Sequence, residues 1–202
     1  MNNKLDLIKI INTILNFLDK DLDFEKSQDL TFRDLKLSQT QIRIINEELL
    51  DNGIESLIVL ISNVINEKMT KKKPKSFINF RVNEKIKFLV LQRLKIIDKY
   101  FEKKQILKLV LKQKSLSKIN KMLFNISDEV WFVSGDSSTD FNYYTKRFIL
   151  MNIYVSTFLY FLRDSSEDFS KTENLLDKQI KAVLKFGKLK SKIMNIFYSN
   201  KM

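Results

Sequence analysis

"IESLIVLISNVINEKM", residues 54–69, is apolar around most of a helix circumference. A surface helix carries one apolar stripe, so a segment greasy nearly all round belongs at the centre of a helical core. On its N-terminal side Gly53 reads as the left-handed C-cap of a preceding helix. On its C-terminal side "TKKKPKS" (residues 70–76) ends it, because Pro74 disfavours helical backbone at Lys73. Further on, Val82, Ile86, Leu89, Val90, Leu94 and Ile97 form one stripe of a helix between Phe80 and Tyr100, with Arg and Lys elsewhere. Shorter helices are predicted over Ile106–Leu111 and Ile119–Phe124, and another from about Asp128 to Val133, stopped by Gly135. Upstream, Leu5, Ile8, Ile11, Leu15 and Leu18 mark a first helix, and a second short one is predicted around Leu30–Leu37. Ser38 and Gln41 have capping-box spacing ahead of Ile42, Ile45 and Leu49. No period-2 run of useful length occurs, so the fold class is all-α, with a small N-terminal bundle and a larger C-terminal one.

Composition narrows the chemistry. The chain has 202 residues and 44% apolar content, enough for a full core, and folding a chain of this size removes roughly 70% of its extended surface from water. It contains no Cys and no His. That rules out disulfides, thiolate or imidazole metal ligands and a Ser-His-Asp triad. No catalytic residue, metal site or cofactor is assigned, and the chain is expected not to be an enzyme. No apolar run reaches the ~20 residues that span a bilayer. "MNNKLDLIK" has neither a secretory core nor an Arg-rich transit pattern, so a peripheral membrane association is the most that is expected. The formal net charge of +12 is unevenly distributed: residues 1–50 are net −2, 51–126 net +12, 127–177 net −5 and 178–202 net +7.

The segment "GDSSTDFNYYTKR" (residues 135–147) is the least helix-like in the chain. Gly135 suits a chain reversal, Ser137 or Ser138 suits the N-cap of the next helix, and Asp140 suits its first turn. Trp131, Phe132, Phe141, Tyr143 and Tyr144 crowd five aromatics around this turn. Two readings stay open for them: core packing, or an aromatic patch that binds a protein partner.

Residues 127–181 also resemble the signature region of the ubiquinone (coenzyme Q) biosynthesis accessory family known as Coq nine. The residues that carry the resemblance are Trp131, Gly135, Asp136, Ser138, Thr139, Asp140, Phe141, Tyr143, Tyr144, Lys146 and Arg147, followed by an acidic-serine turn at Leu162–Thr172. Residues 72–95 match weakly and the first 65 hardly at all. The resemblance implies a TetR-regulator-like helical fold without the DNA-reading role. It further implies a lipid-binding bundle that holds an isoprenoid quinone or phospholipid and presents a quinone intermediate to the demethoxyubiquinone hydroxylase. On this reading residues 1–53 are a degenerate helix-turn-helix-like bundle, 54–186 the lipid-binding bundle and 187–202 a basic amphipathic helix.

Specific residues follow. The apolar run "FILMNIYVSTFLYFL" (148–162) supplies Phe148, Met151, Tyr154, Val155, Phe158 and Phe161 as lipid-lining candidates. Asp128, Trp131 and Phe132 match the family's hydroxylase-docking region, with Phe132 standing where an aromatic hydroxyl is usual. Ser170 and Glu173 have the spacing of another capping box, opening a helix with Leu175, Leu176, Ile180 and Val183 on its apolar face. Around and beyond Gly187, Phe186, Leu189, Ile193 and Phe197 fall opposite Lys185, Lys188 and Lys192, a pattern that suits an anionic membrane surface. The expected location is the bacterial cytoplasm, peripheral on the inner membrane, or the mitochondrial matrix side in an organelle. The competing class is a TetR-like DNA-binding regulator with a lipophilic ligand. Its reading head would need phosphate-neutralising Lys and Arg, whereas residues 1–50 are net acidic, so no nucleic-acid partner is expected. Monomer and homodimer both remain open.

Overall fold

The computed structural model describes the backbone over residues 5–113 and 115–199, and side chains as far as residue 186 except that of Asp140. Among these residues there is no strand. Helix α1 (Leu7–Asp19) is capped by Asp6, whose carboxylate accepts the Lys9 amide, and buries Ile10, Ile11, Ile14, Leu15 and Leu18. Helix α2 (Phe24–Asp34) starts earlier than its apolar pattern indicates, because Asp23 caps it. The Ser38–Gln41 capping box forms as read and opens α3 (Gln39–Ile44). A π-helical turn, Ile45–Leu49, then ends that helix before Gly53 is reached. Gly53 is therefore not a C-cap. It stands at the N-cap of α4 (Ile54–Lys71) with φ 63° and ψ −127°, a conformation that only glycine adopts without strain.

Helix α4 ends before Pro74, and a 3-10 turn, Lys75–Asn79, leads into α5 (Val82–Tyr100). The predicted α5 stripe is buried except for Val82, which is exposed. Burial also extends off the stripe to Leu91, Arg93 and Ile96, because α5 is enclosed by α4 and by three later helices. These are α7 (Leu116–Ser134), α8 (Asp140–Phe161) and α9 (Ser170–Ser199). The short α6 (Lys103–Leu111) packs on α1. The two segments expected at 119–124 and 128–133 are one helix, α7, since no breaker lies between them.

Two N-cap assignments are also corrected. The N-cap position of α8 is Thr139, and Ser138 instead donates its hydroxyl to Asp136 at 2.6 Å. Ser170 lies inside the helical backbone and forms no capping box; the buried Asp164 does the capping for α9. Its carboxylate accepts the Thr172 amide at 2.8 Å and hydroxyl at 2.6 Å, and the Ser166 amide and hydroxyl at 2.9 and 2.6 Å. Burial raises the Asp164 carboxyl's pKa, but the hydrogen bonds from Ser166 and Thr172 outweigh that and hold it well below the usual carboxylate range.

Helix α9 continues through Gly187 to Ser199 without a break, so the basic C-terminal stretch extends this helix. One apolar core joins α1 through α9. Lys87 ties α5 to α9 through Glu173 at 3.1 Å and Asp177 at 3.6 Å. No described helix is long and apolar enough to cross a membrane.

Candidate functional site

Helices α7 and α8 form an antiparallel hairpin, and its turn is built by residues 131–147. Gly135 adopts the left-handed conformation, φ 88° and ψ 27°, as its position in the sequence predicts. Its amide donates to the Phe132 carbonyl at 3.0 Å and the Asp136 amide to the Trp131 carbonyl at 3.0 Å, the two bonds of a Schellman turn. That turn drives the Asp136 side chain into the hairpin. There its carboxylate accepts from Lys146 Nζ at 2.7 Å, Ser138 Oγ at 2.6 Å and Arg147 Nη1 at 3.0 Å. The side chains of Asp136 and Arg147 are each only 4% exposed.

Arg147 turns its other edge to Asp128, with Nε to Oδ1 at 2.6 Å, and the Tyr143 hydroxyl donates to the same oxygen at 2.8 Å. The guanidinium also lies over the Tyr143 ring, 3.4 Å from its centroid. Burial raises the Asp136 carboxyl's pKa, but hydrogen bonds from Lys146, Ser138 and Arg147 overcome it and keep the group ionised far below the usual range. The hydrogen bond to Asp128 raises the Tyr143 phenol, which donates to a carboxylate and so favours its protonated form.

The motif residues Gly135, Asp136, Ser138, Lys146 and Arg147 thus form an ion-paired clamp that fixes the α7–α8 turn. Tyr144 packs edge-on against Tyr143, with ring centroids 5.1 Å apart, while remaining largely exposed. Thr139 opens α8, and Asp140 occupies its first turn with a side chain outside the described residues.

The docking candidates separate under this geometry. Trp131 is half-buried against the core, its indole N–H donates to the Lys146 carbonyl at 3.1 Å, and Lys146 Nζ lies over its ring. Asp128 is partly exposed but held by Arg147 and Tyr143. Phe132 is 73% exposed and joins Phe141, Tyr144 and Phe148 among the exposed aromatics of α7 and α8.

The lipid candidates separate too. A cavity of about 180 Å³, with almost wholly apolar walls, lies between α4, α5, α6, α7 and α8. Tyr154, Val155 and Phe158 line it. The other three candidates do not. Phe148 is 65% exposed because it falls on the outer face of α8, Met151 is half-buried away from the cavity, and Phe161 is fully buried against Phe169 with its ring centroid 4.8 Å away. Sequence reasoning missed the contributions of α4 and α5, among them Ile61, Ile65, Ile97 and Arg93. The apolar circumference of residues 54–69 was the available signal for α4; nothing local marked Arg93.

A second, more polar cavity of about 360 Å³ adjoins the first and shares Ile58, Ser62, Val110, Ile119 and Met122 with it. Asp128 and Glu129 lie on its wall. Among the described residues no group of three or more carboxylates could hold a metal ion. Of the membrane candidates, Lys185 and Phe186 are exposed near Val183 and Leu184, whereas the side chains of Lys188, Leu189, Lys192, Ile193 and Phe197 lie outside the described residues.

Comparison with known proteins now bears on the hairpin. The sequence model of the COQ9 family matches residues 116–187, which run from the start of α7 into α9. Residues 116–187 carry the COQ9 family pattern. The COQ9 match covers the clamp, the cavity-lining part of α8 and the Asp164 turn. Among curated relatives, "Ubiquinone biosynthesis protein COQ9, mitochondrial" of Rattus norvegicus is 35% identical over 96 residues, 47% of this chain and 31% of that protein. The probable coq9 protein of Dictyostelium discoideum is 30% identical over 111 residues, 54% of this chain and 36% of its own length. The Homo sapiens COQ9 protein is 39% identical over 66 residues, 33% of this chain and 21% of that protein. This chain spans about a third of the length of the first two. A TetR transcriptional regulator from Nitrosomonas europaea superposes with a TM-score of 0.61 over 87% of this chain and 96% of its own, at 17% identity. The fold is therefore TetR-like.

Proposed function

We propose that this chain is a non-catalytic lipid-binding accessory protein in ubiquinone biosynthesis, which holds an isoprenoid quinone intermediate, or a phospholipid, and presents the quinone to the demethoxyubiquinone hydroxylase. The observation that carries the reading is the apolar cavity, walled in part by Tyr154, Val155 and Phe158 of the COQ9-matching segment. An almost wholly apolar cleft between the helices of a bundle is suited to an apolar ligand. The relatives' names supply the pathway and the mitochondrial compartment. The membrane concerned is the bacterial inner membrane or the matrix side of its mitochondrial counterpart. For the hydroxylase, the exposed Phe132 beside Asp128 and the half-buried Trp131 offers an aromatic contact of the kind that anchors interfaces. For the membrane, exposed Val183, Leu184 and Phe186 among basic residues support an interfacial role for the end of α9.

Native mass spectrometry of the purified chain, with identification of any lipid released, tests the proposal. An isoprenoid quinone or phospholipid at one per chain is the expected result. No lipid bound, in native and recombinant material alike, would overturn it. The DNA-regulator reading has the TetR-like fold in its favour, but the likeness at 17% identity concerns fold alone. The acidic balance of residues 1–50 opposes phosphate contacts there. A gel shift persisting at about 200 mM salt would restore that reading.

A further inference from the structure

Arg93, in the middle of α5, is 1% exposed and lines the apolar cavity. Its two identified hydrogen-bond acceptors are neutral: Nη1 donates to Asn66 Oδ1, and Nη2 to Ser62 Oγ at 3.4 Å. Its Nε–H is buried with no partner. Tyr154 lies 6.0 Å away, ring centroid to guanidinium carbon, on the opposing wall. A guanidinium withdrawn from water and compensated only by neutral groups is costly, and arginine is always charged. Asn66 and Ser62 also line the adjoining cavity, so Arg93 stands at the junction of an almost wholly apolar space and a more polar one. An empty apolar pocket needs no such group, whereas an amphiphile with an oxygen at one end of an apolar body does.

Resting on the lipid-binding reading, we propose that Arg93 is the polar anchor of the ligand cavity: its Nε–H donates to a carbonyl or carboxylate oxygen of an otherwise apolar ligand and selects such ligands over plain hydrocarbon. A quinone ring carbonyl and a fatty-acyl carboxylate share this chemistry. A hydrogen bond from a charged donor supports a preference of about tenfold to hundredfold.

Titration calorimetry on the full chain, stripped of lipid, with hexyl-1,4-benzoquinone, octanoate and hexylbenzene tests it, alongside Arg93→Met. The native chain is expected to bind at least one oxygen-bearing probe about tenfold or more tighter than hexylbenzene. R93M should bring the probes within about threefold of one another while leaving hexylbenzene affinity unchanged. Preference for the quinone identifies a ring carbonyl as the recognised oxygen, and preference for octanoate an acyl carboxylate. If R93M does not fold, Arg93→Lys, which keeps the charge but lacks the Nε–H donor, should weaken the same preference. Equal affinity for all three probes in the native chain, or a preference that survives either variant, overturns the anchor while leaving lipid binding intact. Failure to bind any of the three overturns lipid binding itself.

Discussion

Replacing Asp136 with Asn removes one charge from the hairpin clamp and changes almost no volume. In the native chain the carboxylate receives three hydrogen bonds, from Lys146, Ser138 and Arg147 at 2.6–3.0 Å, and both it and Arg147 are shielded from solvent. Breaking a buried pair by neutralising one member costs about 3–5 kcal/mol, because the other charge stays buried without its counterpart. Here the loss is smaller, since Arg147 keeps Asp128 at 2.6 Å and asparagine retains one acceptor oxygen. The expected destabilisation is about 2–3 kcal/mol. For a chain of this size that lowers the thermal midpoint by roughly 4–12 °C. Urea unfolding of D136N, R147M and the double variant would measure it, with a coupling energy above about 1 kcal/mol expected between the two sites. The pH dependence has a definite sign. The carboxyl's folded pKa lies below its unfolded value of about 3.9, so its contribution is complete above the unfolded pKa and is lost as pH falls through the folded one. The gap between native and D136N stability should therefore narrow on acidification below about pH 4. A D136N variant within about 0.5 kcal/mol of the native chain at pH 7, or a gap unchanged down to pH 2, would refute the clamp.

Further outcomes can be measured with the same preparations. Phe132→Lys, on an exposed side chain, is expected to leave stability within about 0.5 kcal/mol while weakening hydroxylase binding in a pull-down or surface plasmon resonance assay; unchanged binding removes Phe132 from the docking surface. Trp131→Lys is expected to destabilise by about 2–4 kcal/mol through lost packing and the lost indole hydrogen bond, measured by thermal melting, so it is a poor probe of docking. Asp164→Ala should cost about 2–4 kcal/mol, because four donors lose their acceptor, two on Ser166 in the loop and two on the buried Thr172 at the start of α9; urea unfolding reports it. Deleting residues 188–202 should reduce flotation with anionic liposomes and leave neutral-liposome binding little changed, and equal flotation of both chains would end the interfacial role of α9.

By itself the sequence determined the helices and several of their ends. Apolar spacing and short-range hydrogen bonding are local, so the Ser38–Gln41 box, the break before Pro74 and the left-handed Gly135 were legible without any partner helix. The family pattern was legible for a related reason: most of its residues fall within the single stretch 131–147, around one turn. What lay across helices was not. Gly53 reads as a C-cap until a π turn ends the preceding helix early, and Ser170 reads as a cap until Asp164, across the loop, accepts the Thr172 amide instead. A helical pattern says that Phe148, Met151 and Phe161 are apolar, but only the packing of α8 against α5, α7 and α9 decides which of its faces meets the cavity. Arg93 is the clearest case. An arginine off the apolar stripe of its helix reads as solvent-facing because burying its charge is unfavourable, and only the closure of α4, α7, α8 and α9 around α5 put it inside, with Asn66 and Ser62 as acceptors and one N–H left over.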